Sequence, residues 1–515
     1  MGAVTGFPIL SVITWAPFLS ALVIMFAARH RPLLVRWSAV VGTGVSLVLS
    51  LWLYWAYDRT QAGFQFAETI PLVPSLGISY ELAVDGMSLL MVLLTAIIIF
   101  AGSFASWTVK TRGQEFYALL LILVTGVFGV FVSLDLFMFF LFYEIAVLPM
   151  YLLIGIWGST GEVRPQGVFG WAFGRTGVGT KEYAAMKLTL YLLFGSAFIL
   201  VGLLALYVAN GSTSFSFRVL EQVQFDPALQ SWVFLAFYIG FGILAGIWPL
   251  HTWSPDGHAS APTAVSMLHA GVLMKLGAYG LVRLGMGLLP AASHEWAWLV
   301  GGIACINIVY GALSAMAQTD MKYVIAYSSV SHMGVVMLGA ATLTVTGLNG
   351  SVFQMFAHGV MTALFFALVG LVYEKAHSRD ITKMGGFGTM MPGIATAFTI
   401  GGLSSLGLPA TAGFVAEFLT FLGTWESAHA WWLFPGVAGA FFTSIYVLRV
   451  AKRVFWGTKS TDPHFQHLPD AQGVEWAAIV ILVFVIVLFG VAPGLALLPV
   501  DTATVPLIGR LGGGQ

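Results

Sequence analysis

Residues Leu136 to Trp157 read LFMFFLFYEIAVLPMYLLIGIW, an apolar run interrupted by one carboxylate, Glu144. A helix of about 20 residues crosses a hydrocarbon core of roughly 30 Å, so this stretch is long enough to span a bilayer. In lipid every backbone polar group must be paired within the segment or a closed barrel, and the run has no period-two alternation, so the reading is a helix. The single carboxylate near its middle is therefore the first anomaly to explain.

Apolar runs of this kind recur along all 515 residues, of which 58% are hydrophobic and only 9% charged. A soluble domain carries about 25% charge, so lipid is the main solvent here. Spans are expected near 7–28, 33–57, 86–108, 115–132, 136–157, 183–208 and 232–250 in the first half. In the second half they are expected near 262–288, 296–317, 321–342, 350–373, 392–424, 430–448 and 476–499. The fold class is an all-α integral membrane protein of about fourteen helices. Net charge is zero, which leaves no basic surface to hold nucleic acid by its phosphates. The one cysteine, Cys305, lies in an apolar run and reads as packing, and no metal-ligand cluster is apparent. The N-terminus shows neither a basic leader nor a cleavage site, so no removable targeting peptide is expected.

Lysine and arginine test the numbering, because they concentrate in cytoplasmic loops. Sixteen of the 22 fall on one side, among them Arg31, Arg36, Lys110, Arg112, Lys322, Lys375, Arg379 and Arg449. Four, Arg59, Arg218, Arg283 and Arg510, fall on the other. A miscounted span would scramble this alternation, so both termini are expected on the outer side. The longest inner connection, residues 158–182, contains Gly-Val-Gly-Thr-Lys at 177–181 but not the full spacing of a phosphate loop, and reads as linker.

The two remaining cations, Lys187 and Lys275, lie inside spans, as do Glu144 and Glu417. An ionisable group near the bilayer centre costs about 2.5–3.5 kcal/mol even on the lenient insertion scale. Protonated, hydrogen-bonded packing residues are the plain alternative, and Lys187, near a span end, could snorkel to the interface. In a low dielectric, however, charged and neutral forms of such groups come close in energy, which is the condition for exchanging protons. His251, His258, His269, His332 and His358 extend the set, with Tyr327, Ser328, Ser329 and Ser331 beside one of them. Taken singly they are packing residues; haem ligation is a further use of paired histidines. As a row they outline a wet polar axis. Two spans read as broken, the seventh at 248–256 and the twelfth at 407–413, and unwound backbone at membrane depth marks a cavity or pathway.

Several of these stretches resemble the antiporter-like subunits of respiratory complex I. They are FYEIAVLPMY at 142–151, PLHTWSPD at 249–256, APTA at 261–264 and AGVLMK at 270–275. AQTDMK at 317–322, SHMG at 331–334, AHG at 357–359 and GFVAEF at 413–418 extend the likeness over most of the chain, and YEKAHSRD at 373–380 favours the M type. The resemblance implies two inverted five-helix repeats, at 115–288 and 296–456, between an N-terminal three-helix segment (1–114) and a C-terminal loop and last helix (457–515). It also implies a proton relay through Glu144 of the fifth helix, Lys275 of the eighth and Glu417 of the twelfth, with Lys187, His251, His269, His332 and His358 as secondary members. One family residue is missing: Leu244 stands where a lysine is usual, five residues before Pro249.

The expected function is proton translocation by a membrane subunit of an NADH:quinone-type oxidoreductase in a bacterial inner membrane, with other membrane subunits as partners. No dinucleotide fingerprint or cysteine cluster is present, so no cofactor is expected in this chain. A subunit of a multisubunit sodium/proton antiporter or membrane hydrogenase is one alternative. A non-pumping spacer, suggested by Leu244, is the other.

Overall fold

A computed structural model describes residues 7–27, 31–160 and 179–512, so most of the inner linker lies outside the described residues. Five helices open the chain: α1 (Ile9–Phe26), α2 (Pro32–Ala56), α3 (Gly86–Ala105), α4 (Gly113–Val132) and α5 (Leu136–Trp157). They are followed by α6 (Lys181–Ala209), α7 (Pro227–Ala245), the short α8 (Trp253–Ser260) and α9 (Thr263–Met286). Then come α10 (Pro290–Ala317), α11 (Met321–Ala341), α12 (Val345–Ala376), α13 (Pro392–Ser405) and α14 (Ala412–Glu426). The last three are α15 (Ala430–Trp456), α16 (Glu475–Val491) and α17 (Gly494–Arg510). Among the described residues twelve helices are individually long and apolar enough to cross a membrane. The broken pair α13–α14 and the bent pair α16–α17 occupy the other two expected positions. Helices α3, α9, α11 and α12 are buried along nearly their whole length, while α1, α2, α6 and α15 lie at the periphery.

Two features depart from the sequence expectation. A β-hairpin, β1 (Gln65–Val73) and β2 (Ile78–Val84), joins α2 to α3, so the fold is not purely helical. Its turn uses Gly77 at φ +65°, where a side chain would also run into the backbone of Thr213 and Ser214. Asp135, the N-cap of α5, accepts from Phe137 N (2.9 Å) and Met138 N (3.0 Å) with one oxygen, and from Ser79 N of the hairpin (2.9 Å) with the other. The second departure is the last span, expected at 476–499. Its helix ends at Val491, and α17 leaves at 70° because Pro493 supplies no amide for continuing α16. Helix α17 packs across the N-terminal end of α3, tied by Tyr57 Oη to Thr502 Oγ1 (2.8 Å) and by Asn349 Nδ2 to Asp501 Oδ1 (2.6 Å). The 457–515 segment thus holds two helices.

Helix α5 is held against α4 by glycine. A Cβ on Gly126 would lie 2.6 Å from Phe142 O and press on the Ala146 backbone, two residues either side of Glu144. Gly126→Ala is expected to force the two helices apart, at about 1–3 kcal/mol for overpacking, toward the upper end because the obstacle is backbone. The check is the thermal midpoint of the solubilised assembly, and an unchanged midpoint would contradict this packing.

Candidate functional site

The eighth span owes its geometry to an irregular helix. Within α9 the segment His269–Leu273 widens to a π-turn, a feature often found at functional sites, and Lys275 follows it directly. Lys275 is fully buried; its Nζ folds back onto the Ala270 carbonyl and stands 2.8 Å from His358 Nδ1 on α12. The His358 ring stacks on His332 of α11, centroids 5.1 Å apart. His332 Nδ1 lies 3.4 Å from Glu417 Oε1 on α14 and 3.2 Å from Gln354 Nε2, while its Nε2 meets Ser405 Oγ at 3.1 Å. Four helices therefore bring Lys275, His358, His332 and Glu417 into one row, each less than one-tenth exposed.

The twelfth-span break sits beside the end of this row. Gly407, at φ +63°, closes α13; a Cβ there would lie 2.8 Å from Glu417 Oε2, so only glycine lets the unwound backbone pass so near the carboxylate. At the other end His258 and His269 stack at 4.0 Å, Trp253 lies over His269 at 5.1 Å, and His258 Nε2 faces Met274 Sδ at 3.3 Å. Neither ring nitrogen of His269, nor Nδ1 of His258, nor Nε2 of His358 has a protein partner, although all three rings are buried.

Lys187 does not snorkel. It bonds Asp256 Oδ2 at 2.8 Å, and Tyr323 Oη donates to the other oxygen at 2.9 Å, joining α6, α8 and α11 at the break of the seventh span. Asp256 was inside the quoted PLHTWSPD motif without an assigned role; its signal was a carboxylate next to a helix break. Gln354 and Ser405 were missed too, because neutral polar residues inside spans carry little sequence signal. His251 is buried edge-on to Tyr310 (5.0 Å) and makes no hydrogen bond to Lys187.

Glu144 is not joined to the row. It lies half-buried on α5, next to the exposed Leu141 and Leu148. Leu244 is fully buried in the last turn of α7, where Trp253 Nε1 caps Ile243 O at 2.9 Å and Ala245 packs on Gly277 of α9. Apolar packing fills the position of the family lysine.

A profile of membrane proteins described as NADH:quinone oxidoreductase/Mrp antiporter, TM, matches residues 174–443, a range that contains the whole row from Lys275 to Glu417. The chain belongs to this family. Among relatives of this antiporter-family chain, NAD(P)H-quinone oxidoreductase chain 4 3 of Picosynechococcus sp. (strain ATCC 27264 / PCC 7002 / PR-6) is 39% identical over 458 residues, covering 87% of this chain and 80% of the relative. NAD(P)H-quinone oxidoreductase chain 4 1 of Synechococcus sp. (strain JA-3-3Ab) is 39% identical over 514 residues, covering 96% and 93%. A chain of respiratory complex I from Thermus thermophilus with bound NADH superposes with a TM-score of 0.85 at 28% identity, covering 97% of this chain and all of that one. The family likeness extends beyond the matched range to both ends of the described fold.

Proposed function

We propose that this chain is a membrane subunit of an NAD(P)H:quinone-type oxidoreductase complex and moves protons along the Lys275–His358–His332–Glu417 row. The observation that carries the reading is the unbroken contact of four buried ionisable groups from four helices, at a burial cost of several kcal/mol that packing alone does not recover. Electron transfer takes place in partner subunits, and this chain couples to it mechanically or electrostatically. Lys187 and Asp256 replace the missing lysine at Leu244: the pair lies at the seventh-span break, and the buried imidazoles of His258 and His269 follow it in the chain before Lys275. Glu144, on a partly exposed helix face, takes part at the boundary with a neighbouring membrane subunit.

Two expected results test this reading. Glu144→Gln in the whole complex, reconstituted in vesicles, should lower the protons moved per electron pair while the subunit remains assembled, because an amide cannot release a proton. Wild-type stoichiometry in that variant would remove Glu144 from the pathway. The complex sits in the bacterial inner membrane with both termini outside, following the Lys and Arg bias. A cysteine placed at Gly514 should react with a membrane-impermeant maleimide from the outer face; labelling from the cytoplasmic face alone would reverse the orientation.

A further inference from the structure

The inner end of the first four helices holds a feature unrelated to the proton row. A cavity of 580 Å³ lies between the start of α2 and the α3–α4 connection, lined by Arg31, Arg36, Lys110 and Arg112 over a floor that includes Val35, Val109 and Tyr117. Among the described residues Glu115 is the only acid in its wall, and it is taken by Arg112. Among the described residues no carboxylate pairs with Arg31, Arg36 or Lys110, so the cavity carries a surplus of about three positive charges. The Arg36 guanidinium lies 5.6 Å over the Trp107 ring, and Trp107 meets Trp37 edge-on at 5.5 Å, an aromatic pair of the sort found at the membrane interface. Below the cations, α2 presents Leu34, Trp37, Val41, Val45 and Val48 outward at helical spacing, each at least 40% exposed.

We propose that this cavity binds an anionic phospholipid, its phosphate among Arg31, Arg36 and Lys110 and its acyl chains along the outward face of α2. Positive-inside placement alone accounts for cations near this surface but not for their convergence on a concave, apolar-floored site. Basic pockets between helices on the cytoplasmic side suit lipid headgroups carrying phosphate, and a doubly charged headgroup matches the surplus better than a singly charged one. The continuous apolar stripe starting beneath the cations selects a lipid over a free anion.

The test uses the whole complex in phosphatidylcholine nanodiscs and diphosphatidylglycerol carrying a photoreactive acyl chain, with adducts mapped by mass spectrometry. Adducts should fall on the α2 peptide, and the lipid concentration for half-maximal labelling should rise about thirtyfold in the Arg36→Gln/Lys110→Gln variant, at about fivefold for each charge removed. The charge-keeping Arg36→Lys/Lys110→Arg variant should stay close to wild type, which separates loss of charge from loss of fold. Equal labelling by a phosphatidylcholine analogue, displacement by millimolar inorganic phosphate, or unchanged labelling in the neutral variant would each overturn the proposal. So would absence of α2 adducts because a partner subunit covers that face.

Discussion

Lys275→Ala is expected to abolish the proton translocation contributed by this subunit. Lys275 is the only side chain in α9 between His269 and Arg283 that can carry a positive charge, and its Nζ is the donor that reaches His358 at 2.8 Å. Alanine removes the amine and leaves His358 Nδ1 without that partner, a loss of about 1–3 kcal/mol for a buried polar atom left unpaired. That amount is tolerable for a large membrane assembly, so the variant should still incorporate. The measurement is the number of protons moved per electron pair in reconstituted vesicles, with quinone reduction followed in parallel. Lys275→Met, close in length but without charge, should behave like alanine, which separates the missing proton site from the cavity left by truncation. Unaltered stoichiometry in both variants would exclude Lys275 as a carrier, and failure confined to assembly would favour the spacer reading. Glu417→Ala should follow Lys275→Ala, since among the described residues Glu417 is the only carboxylate paired with His332.

Arg379→Ala is expected to have the largest effect on stability. Its guanidinium meets Asp320 at 3.1 Å, with the two side chains 1% and 4% exposed, and Nη1 also donates to Ala259 O at the end of α8 (2.6 Å). Asp320 in turn caps α11 through Lys322 N at 2.8 Å. One side chain thus fastens the C-terminal ends of α8 and α12 to the N-terminal end of α11. Removing one partner of a buried pair leaves an uncompensated charge and costs about 3–5 kcal/mol. The expected outcome is a lowered thermal midpoint of the solubilised complex and reduced incorporation of this subunit. Replacing both partners by apolar residues, Arg379→Met with Asp320→Leu, should recover part of the loss, because no lone charge then remains. Equal instability of the single and double variants would show that the hydrogen bonds to backbone, rather than the charge pairing, hold this corner.

The apolar spans, the one-sided bias of Lys and Arg, and the buried or half-buried charges at Glu144, Lys275 and Glu417 were legible in the sequence, because each depends on local composition measured against the solvation cost of lipid. Which of those charges meet was not. His332 and Glu417 come from α11 and α14, and Lys187 meets Asp256 across a helix break. In a soluble protein the polar face of a helix reveals which side faces the core. In α5 both the buried Phe142 and Val147 and the exposed Leu141 and Leu148 are apolar, since lipid is as apolar as the interior. With no amphipathic stripe to read, helix rotation is decided by close approach at small residues such as Gly126 and by interhelical polar contacts. The tertiary structure alone therefore decided that Glu144 stands apart from the row, that apolar packing surrounds Leu244, and that the chain turns at Pro493. Composition sets which segments enter the membrane; packing between them, which no single segment encodes, sets which buried polar groups meet.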